Sequence, residues 1–417
     1  MSAPAYDLVV VGAGAAGLWA AGTAFELGAR VLVLEKTARS GTKILASGGS
    51  RCNLTTTLGP DEAARLFGAA ERFLQPSLRA LPPARVREVF HRLGVPTVEE
   101  PHLEKVFPRS QRADDVRDAL VRRAGGARIV YNTPVFGVEP EDGGWAVRLA
   151  NGVVRAPRVI LCAGGRSYPR TGTTGDGYAW LAALGLPVVQ PVPALVPLTS
   201  PSGWVHNLSG IALQHTEARL HAPDGRIVAR RARPVLFTHH GLSGPGAMDL
   251  SGPVARAAAE GRATGWWVGV DLAPQLPEEA LRRALADAAG QPGGPRLARV
   301  VGDAVPERLR EAACRQAGLT DPNPPLHQVD RKARNRLVDA LKGLVVPVDG
   351  TLGWDKAEVT AGGLALDAVD RTSLAVRGHP GLSVVGELLD LTGPIGGLNF
   401  QAAFATADAA ARHALRP

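Results

Sequence analysis

The stretch from Asp7 to Glu35, DLVVVGAGAAGLWAAGTAFELGARVLVLE, constrains this chain more than any other. Leu8 to Val11 is a short apolar run rich in valine, the pattern of a buried parallel strand. Gly12-x-Gly14-x-x-Gly17 follows at once, Ala15 to Leu27 reads as a helix closed by Gly28, and Val31 to Leu34 reads as a second buried strand. Together they predict one βαβ unit with a dinucleotide fingerprint in its first turn. Gly12 permits the tight turn, Gly14 lets a pyrophosphate approach the backbone, and Gly17 lets helix and strand pack closely. Ala15 and Ala16 open the helix, whose free N–H groups and partial positive charge suit the phosphates. Glu35, 18 residues past Gly17, stands at the strand end where a carboxylate can accept hydrogen bonds from an adenosine ribose.

With 417 residues the chain has room for two or three domains. Its net charge of +8 permits an anionic partner, whether nucleotide, nucleic acid or acidic metabolite, although an arginine-rich composition alone gives the same figure. Cys52, Cys162 and Cys314 are odd in number and lack metal-ligand spacing, so no metal site is expected and a reduced, cytoplasmic protein fits best. No signal peptide is expected at the N-terminus. Ala179 to Leu198 is uncharged, but Pro187, Pro191, Pro193 and Pro197 break it, and no membrane span is expected.

Lys36 to Thr56 is rich in Gly, Ser and Thr and reads as an ordered loop against the cofactor, with Lys43 and Arg51 adding positive charge. Asp61 to Leu93 reads as amphipathic helix interrupted by Pro76 and by Pro82-Pro83. Val106 to Leu120 reads as a loop followed by a helix. Arg128 to Val138, Trp145 to Leu149 and Val153 to Ala156 alternate like strands of a small antiparallel sheet. Val159 to Ala163 is another buried strand, ending in Gly164-Gly165, where the backbone can approach a ligand. From about Pro191 alternating segments suggest a β-rich insertion, and 278–289 and 298–317 read as helices. Near the C-terminus a strand, Leu382 to Val385, runs into Gly386-Glu387, then Gly396-Gly397, then a long helix from Gln401 to Leu415, a second anion and dipole site.

Four segments in order resemble the YhiN/BaiN-like bacterial flavoproteins, also labelled the aminoacetone-oxidase family. They are GAGAAG with Glu35; GTKILASGGSRCNLT; PRTGTTGDGYAW with PALVPL and FTHHGLSGP; and KAEVTAGG with GELLDLTGPIGGLNFQAAFATA. The resemblance implies an α/β fold: a Rossmann-like, GR2-type FAD-binding domain with an inserted β-barrel-like domain and a small helical subdomain. The expected boundaries are 1–190 with 340–417 for the FAD-binding domain, 191–275 with 318–339 for the β-rich insertion, and 276–317 for the helical piece. It implies FAD contacts at Gly12, Gly14, Ala15, Ala16, Gly17, Glu35, Lys36, Lys43, Ser47, Gly48, Gly49, Arg51, Cys52, Asn53, Val135, Ala163, Gly164, Gly165, Gly386, Glu387, Gly396, Gly397, Asn399 and Phe400. Glu387 would bond a ribityl hydroxyl, and the last helix would favour the anionic reduced flavin. Ser50 replaces a common glycine of the SGxGRCN loop, and LTGPIGG departs from the more usual acid-Gly-x-x-Gly-Gly.

No second dinucleotide βαβ unit follows, so NADH or NADPH is expected only as a transient electron donor. The resemblance points to reduction of activated C=C bonds, in steroid-like acids or in ribosomal RNA uridine, and does not choose between a small-molecule and an RNA substrate. A flavin-holding redox sensor without turnover is the third reading. Two groups are candidates to protonate the second carbon: Cys52, a thiol in the glycine loop, and His239, at the end of a strand and within the family motif. Arg51, Arg166 and Arg170 are candidates to hold an anionic substrate.

Overall fold

A computed structural model of the chain describes residues 5–100, 103–302 and 305–416. It divides into two compact units, Met1–Pro193 with Ala357–Pro417, and Ala194–Lys356.

The first unit is built on a five-stranded parallel sheet. Strand β1, Leu8–Val11, is followed by helix α1, Ala15–Glu26, and by β2, Val31–Leu34. Strands β3 (Arg128–Val130), β4 (Val159–Leu161) and β5 (Leu382–Val384) complete the order β5-β4-β1-β2-β3. The central register pairs Val10 with Ile160 on one side and with Val33 on the other. Every residue of β1 is buried, which is why it reads as an unbroken apolar run rather than an alternating one. The C-terminal helix Leu398–Ala414 packs on α1, with Trp19 and Phe404 rings 4.7 Å apart. Asp408 of that helix accepts hydrogen bonds from Trp19 and Thr23 of α1, so the two ends of the chain share one core.

Several expectations need correction in this unit. Arg128 to Val138 is not one strand: β3 joins the parallel sheet, while Val135–Glu141 opens an antiparallel sheet with Gly144–Leu149 and Gly152–Ala156. Val106 to Pro108 is not loop but part of a strand, Lys105–Pro108, between Thr55–Thr56 and Thr97–Glu100. Pro76 does not interrupt its helix, which runs Glu71–Ala80; the chain breaks earlier, around Gly68 at φ 57°. An interior proline costs about 3 kcal/mol, and burying Leu74 and Leu78 on the same helix returns roughly 3–6 kcal/mol.

The second unit holds two antiparallel sheets. One has Ala212–Leu213, Val235–Thr238, Gly241–Ser243, Leu198–Thr199 and Gly350–Thr351 in that spatial order. The other orders Ile227–Arg231, Ala218–His221, Trp266–Val270 and Leu344–Val348. Its helices include α2, Glu278–Ala289, and α3, Arg331–Lys342. Of the predicted helix 298–317, Leu297–Val301 and Glu307–Gln316 are helical, and 303–304 lie outside the described residues. Leu281, Leu285, Leu309 and Leu337 lie in the same apolar cluster as Val268, Val270 and Val346, so the helices share the sheet's core. The strand Leu344–Val348 hydrogen-bonds along Trp266–Val270, which carries this unit through Lys356 rather than to 339. Among the described residues no helix is long and apolar enough to cross a membrane.

Candidate active site

The site in the first unit is assembled at the carboxyl ends of its parallel strands. At the end of β1 the three fingerprint glycines meet three different surroundings. A Cβ on Gly12, at φ 99°, would lie 2.6 Å from the Cys162 carbonyl oxygen. A Cβ on Gly17 would overlap the Gly12 carbonyl, with its carbon 2.9 Å away. Gly14, at φ −77°, has nothing within 4 Å of where its Cβ would stand. Two glycines are thus required by packing, and the middle one faces open space at the N-terminus of α1. That arrangement suits a pyrophosphate, with the first-turn N–H groups of α1 unclaimed within the helix.

Glu35, at the end of β2, is buried and held in place. Its carboxylate accepts from Ala13 N at 2.8 Å, from Thr37 N at 2.7 Å and from Thr37 Oγ1 at 2.7 Å. Two carboxylate oxygens offer about four lone-pair sites, so acceptor capacity is left for a ribose diol. Lys36 Nζ donates to Thr174 Oγ1 and Asp176 Oδ2, both at 2.6 Å, and ties the strand end to the loop 171–177.

A second constellation lies beyond β4. Lys43 Nζ donates to Ser167 Oγ at 2.5 Å and to Glu387 Oε2 at 2.7 Å. Ser167 Oγ in turn donates to Glu387 Oε1 at 2.8 Å, and Thr360 N donates to the same oxygen at 2.9 Å. Arg166 N donates to Thr360 Oγ1 at 2.7 Å. Gly165 is closed off here, since a Cβ would overlap Thr360 Oγ1 and come within 2.6 Å of Glu387 Oε1. Burial, with the Glu387 charge behind it, pushes the Tyr178 hydroxyl well above the usual tyrosine range. Ser167 lies in none of the motif segments, while Tyr178 lies in PRTGTTGDGYAW and Thr360 in KAEVTAGG, segments that gave neither residue a role.

The glycine loop completes the surface. Gly48, Gly49 and Ser50 are exposed and left-handed, at φ 54°, 67° and 66°. Ser47 is half-buried, its hydroxyl donating to Ile44 O. Arg51 is committed to protein partners, with Glu100 at 3.0 Å, Gln111 at 3.1 Å and its guanidinium 4.1 Å from the Phe107 ring centre. Asn53 Oδ1 accepts from Val106 N at 3.2 Å. Gly397, at φ 81°, caps the C-terminal helix against this loop, and a Cβ there would lie 2.9 Å from Asn53 Oδ1. Asn399 closes the turn before it, exchanging two 2.9 Å hydrogen bonds with Gly393, and Phe400 stacks on Phe404. Gly386 N donates to Thr406 Oγ1.

Cys52 is 0 % exposed and belongs to the apolar core. Its backbone is left-handed, φ 59°, where the exposed Gly48 to Ser50 give way to the buried Asn53 to Thr56, and burial pushes its thiol up to about 12. Val135 begins the strand Val135–Glu141, is nearly buried and pairs with Leu149. His239 lies in the second unit, exposed with His240 at the tip of the hairpin between Val235–Thr238 and Gly241–Ser243. Arg166 and Arg170 are exposed in the first unit.

The first-unit residues fit an FAD: an open glycine at a helix N-terminus, a fixed carboxylate after the second strand, and a second helix N-terminus entered through Gly396-Gly397. Residues 6–413 match the model of the HI0933-like protein Rossmann domain. The chain belongs to the HI0933-like family. It is accordingly an FAD-dependent oxidoreductase with a Rossmann-like cofactor domain. This HI0933-like chain is 28 % identical over 409 residues to the ribosomal RNA dihydrouridine synthase of Escherichia coli, covering 98 % of this chain and 97 % of that one. It is 29 % identical over 410 residues to the 3-dehydro-bile acid delta(4,6)-reductase of Clostridium scindens, covering 97 % and 98 %. In fold it is similar to the 3-ketosteroid-delta4-(5alpha)-dehydrogenase of Rhodococcus jostii, with a TM-score of 0.53 at 16 % identity, covering 100 % of this chain and 98 % of that one.

Proposed function

We propose that this protein reduces an activated C=C bond, one conjugated to a carbonyl, at the expense of NADH or NADPH. One observation carries the reading. Two relatives that match nearly end to end bear names for saturation of such a bond, one in a uridine and one in a bile acid, and this chain is about equally similar to both. Bound FAD supplies the hydride transfer, from the nicotinamide donor to the electron-poor carbon of the substrate.

The chain's own residues do the rest. Gly12, Gly14, Ala15, Ala16 and Gly17 hold the pyrophosphate, and Glu35 the adenosine ribose. Val135 packs against the adenine. Ala163 and Gly164 bring backbone close to the cofactor, with Gly165 closing the far side. Gly386 and Glu387 hold the ribityl chain, with Lys43 and Ser167 fixing the carboxylate of Glu387. Ser47, Gly48, Gly49 and Asn53, with Gly396, Gly397, Asn399 and Phe400, frame the ring, where the helix N-terminus favours negative charge on the reduced flavin. Lys36 and Arg51 order their loops instead of binding directly. With the Cys52 thiol buried, His239 is the remaining candidate to protonate the second carbon.

A second reading, that the bond lies in an RNA uridine, is favoured by the rRNA-modifying relative together with the chain's net charge of +8. The deciding experiment is an anaerobic absorbance titration. A yellow protein with bands near ~450 and ~370 nm that bleaches with NADH or NADPH, and regains colour with an enone or a uridine-containing RNA, supports the reading. Flavin reoxidised by oxygen alone would overturn it.

A further inference from the structure

Between α2 and α3 the second unit carries a basic groove that hydride transfer does not use. Four arginines, Arg282, Arg283, Arg331 and Arg334, line it with one acid, Glu279. Arg282 is spent on structure: it donates to Asn335 Oδ1 at 2.9 Å and to Glu278 at 2.7 Å, joining the two helices. Arg334 donates to the Val329 carbonyl at 2.6 Å. Arg283 and Arg331 are exposed, and neither has a hydrogen bond or ion pair among the described residues. Lys332, next to Arg331, is also exposed. The N-terminal half of α3, Arg331-Lys332-Ala333-Arg334-Asn335-Arg336, therefore concentrates cations where the helix dipole disfavours them. Asp330, the N-cap, answers only in part, because its carboxylate is occupied by Ala333 N at 2.8 Å. Such a placement works against helix stability and leaves a surface that attracts anions.

We infer that this groove docks the phosphodiester backbone of an RNA substrate. The inference rests on the uridine reading proposed above. Two unpaired guanidinium forks, one on each helix, suit phosphate oxygens, which an arginine can take bidentately. The contacts would be sequence-independent, setting where the RNA lies and leaving base choice to the reaction site.

The test is fluorescence anisotropy of a labelled, uridine-containing RNA hairpin with the full-length, FAD-loaded protein, wild type against Arg283→Gln/Arg331→Gln. The double variant is expected to bind at least tenfold more weakly at about 0.1 M salt. Its plot of log affinity against log salt should be flatter by about 1.4, two phosphates at ~0.7 each for a single strand. Melting temperature, flavin content and bleaching by NAD(P)H should match wild type. Unchanged RNA affinity in the double variant, or no salt-dependent binding by wild type, would overturn the groove. So would displacement of the RNA by inorganic phosphate at low millimolar concentration, the mark of a site for a free phosphate. RNA binding lost with bleaching intact supports the groove. A flavin that never bleaches sinks the reductase reading and leaves the binding result to judge the groove.

Discussion

Gly14 and Gly17 are three residues apart and should fail in different ways when each is changed to alanine. At Gly17 the added methyl would overlap the Gly12 carbonyl oxygen, with the carbonyl carbon 2.9 Å away. Both are backbone atoms, so β1 and α1 must separate. Overpacking of this kind costs about 1–3 kcal/mol, only partly offset by the gain of roughly 1 kcal/mol from alanine in a helix. At about 2–4 °C per kcal/mol for a unit of this size, the apo protein should melt a few degrees lower. At Gly14 nothing lies within 4 Å and φ is −77°, so neither packing nor backbone demands glycine. Alanine there should cost the apo protein under about 1 kcal/mol, the usual scale of an N-cap change. Its methyl would instead stand in the phosphate cradle. Applying the same 1–3 kcal/mol of overcrowding to the ligand gives FAD binding weaker by about 5- to 150-fold. Flavin fluorescence titration of apo protein, beside scanning calorimetry with and without FAD, separates the two. If Gly14→Ala binds FAD as wild type does, the cradle is misassigned. If Gly17→Ala melts as wild type does, the close helix–strand approach is not rigid.

Three further outcomes follow from named contacts. Lys43 and Glu387 are 27 % and 21 % exposed at 2.7 Å, so a double-mutant cycle with Lys43→Met and Glu387→Gln should give a coupling of about 1–2 kcal/mol in urea unfolding, and a value under ~0.3 would mean the pair is not formed in solution. Cys52→Ala should keep FAD and turnover within about twofold; a loss of 10²-fold or more, the usual weight of a general acid, with fold and flavin intact would restore the thiol to the reaction. Arg30 holds the Asp7 carboxyl down at about 2, from 3.8, and a lowered folded-state pKa stabilises above the unfolded value and is lost as pH falls through the folded one. Because the pair is partly exposed, Asp7→Asn should cost less than ~1 kcal/mol at pH 7 in denaturant melts, with the gap closing between about pH 4 and pH 2; a gap constant across that range would show the pair contributes nothing through charge.

How much of this was legible follows from how local each determinant is. The β1–α1–β2 unit was readable because strand, turn and helix announce themselves within 30 residues and every residue of the two strands is buried. Strand Lys105–Pro108 was not, because its pairing partners begin at Thr55 and Thr97, and a four-residue run with lysine and proline has no pattern of its own. Pro76 misled because a local penalty was weighed without the leucine burial that outweighs it. The helices of the second unit were detected but set apart, since nothing in 276–317 shows that its leucines share a core with Val346.

The site divides along the same line. Gly17 and Glu35 answer to neighbours near in sequence, and their roles could be read from spacing, as could the turn at Gly12, although what closes on Gly12 is the distant Cys162 carbonyl. Glu387 acquires its meaning from Lys43, Ser167 and Thr360, which lie 344, 220 and 27 residues away, and no periodicity encodes that meeting. Cys52 shows the converse error. Its neighbours in sequence, Gly48 to Ser50, are exposed, so proximity along the chain argued for a thiol at the surface. The other side of Cys52 reverses that inference, because Asn53 to Thr56 after it are all buried and the chain turns inward at the left-handed Cys52 itself. Non-glycine residues at Ser50, Cys52 and Tyr168 hold such conformations beside the cofactor cradle. Each carries a backbone cost of about 1–3 kcal/mol, but so do five further positions, Glu104, Gln111, Asn132, Leu195 and Leu374, so a left-handed backbone does not by itself mark the site.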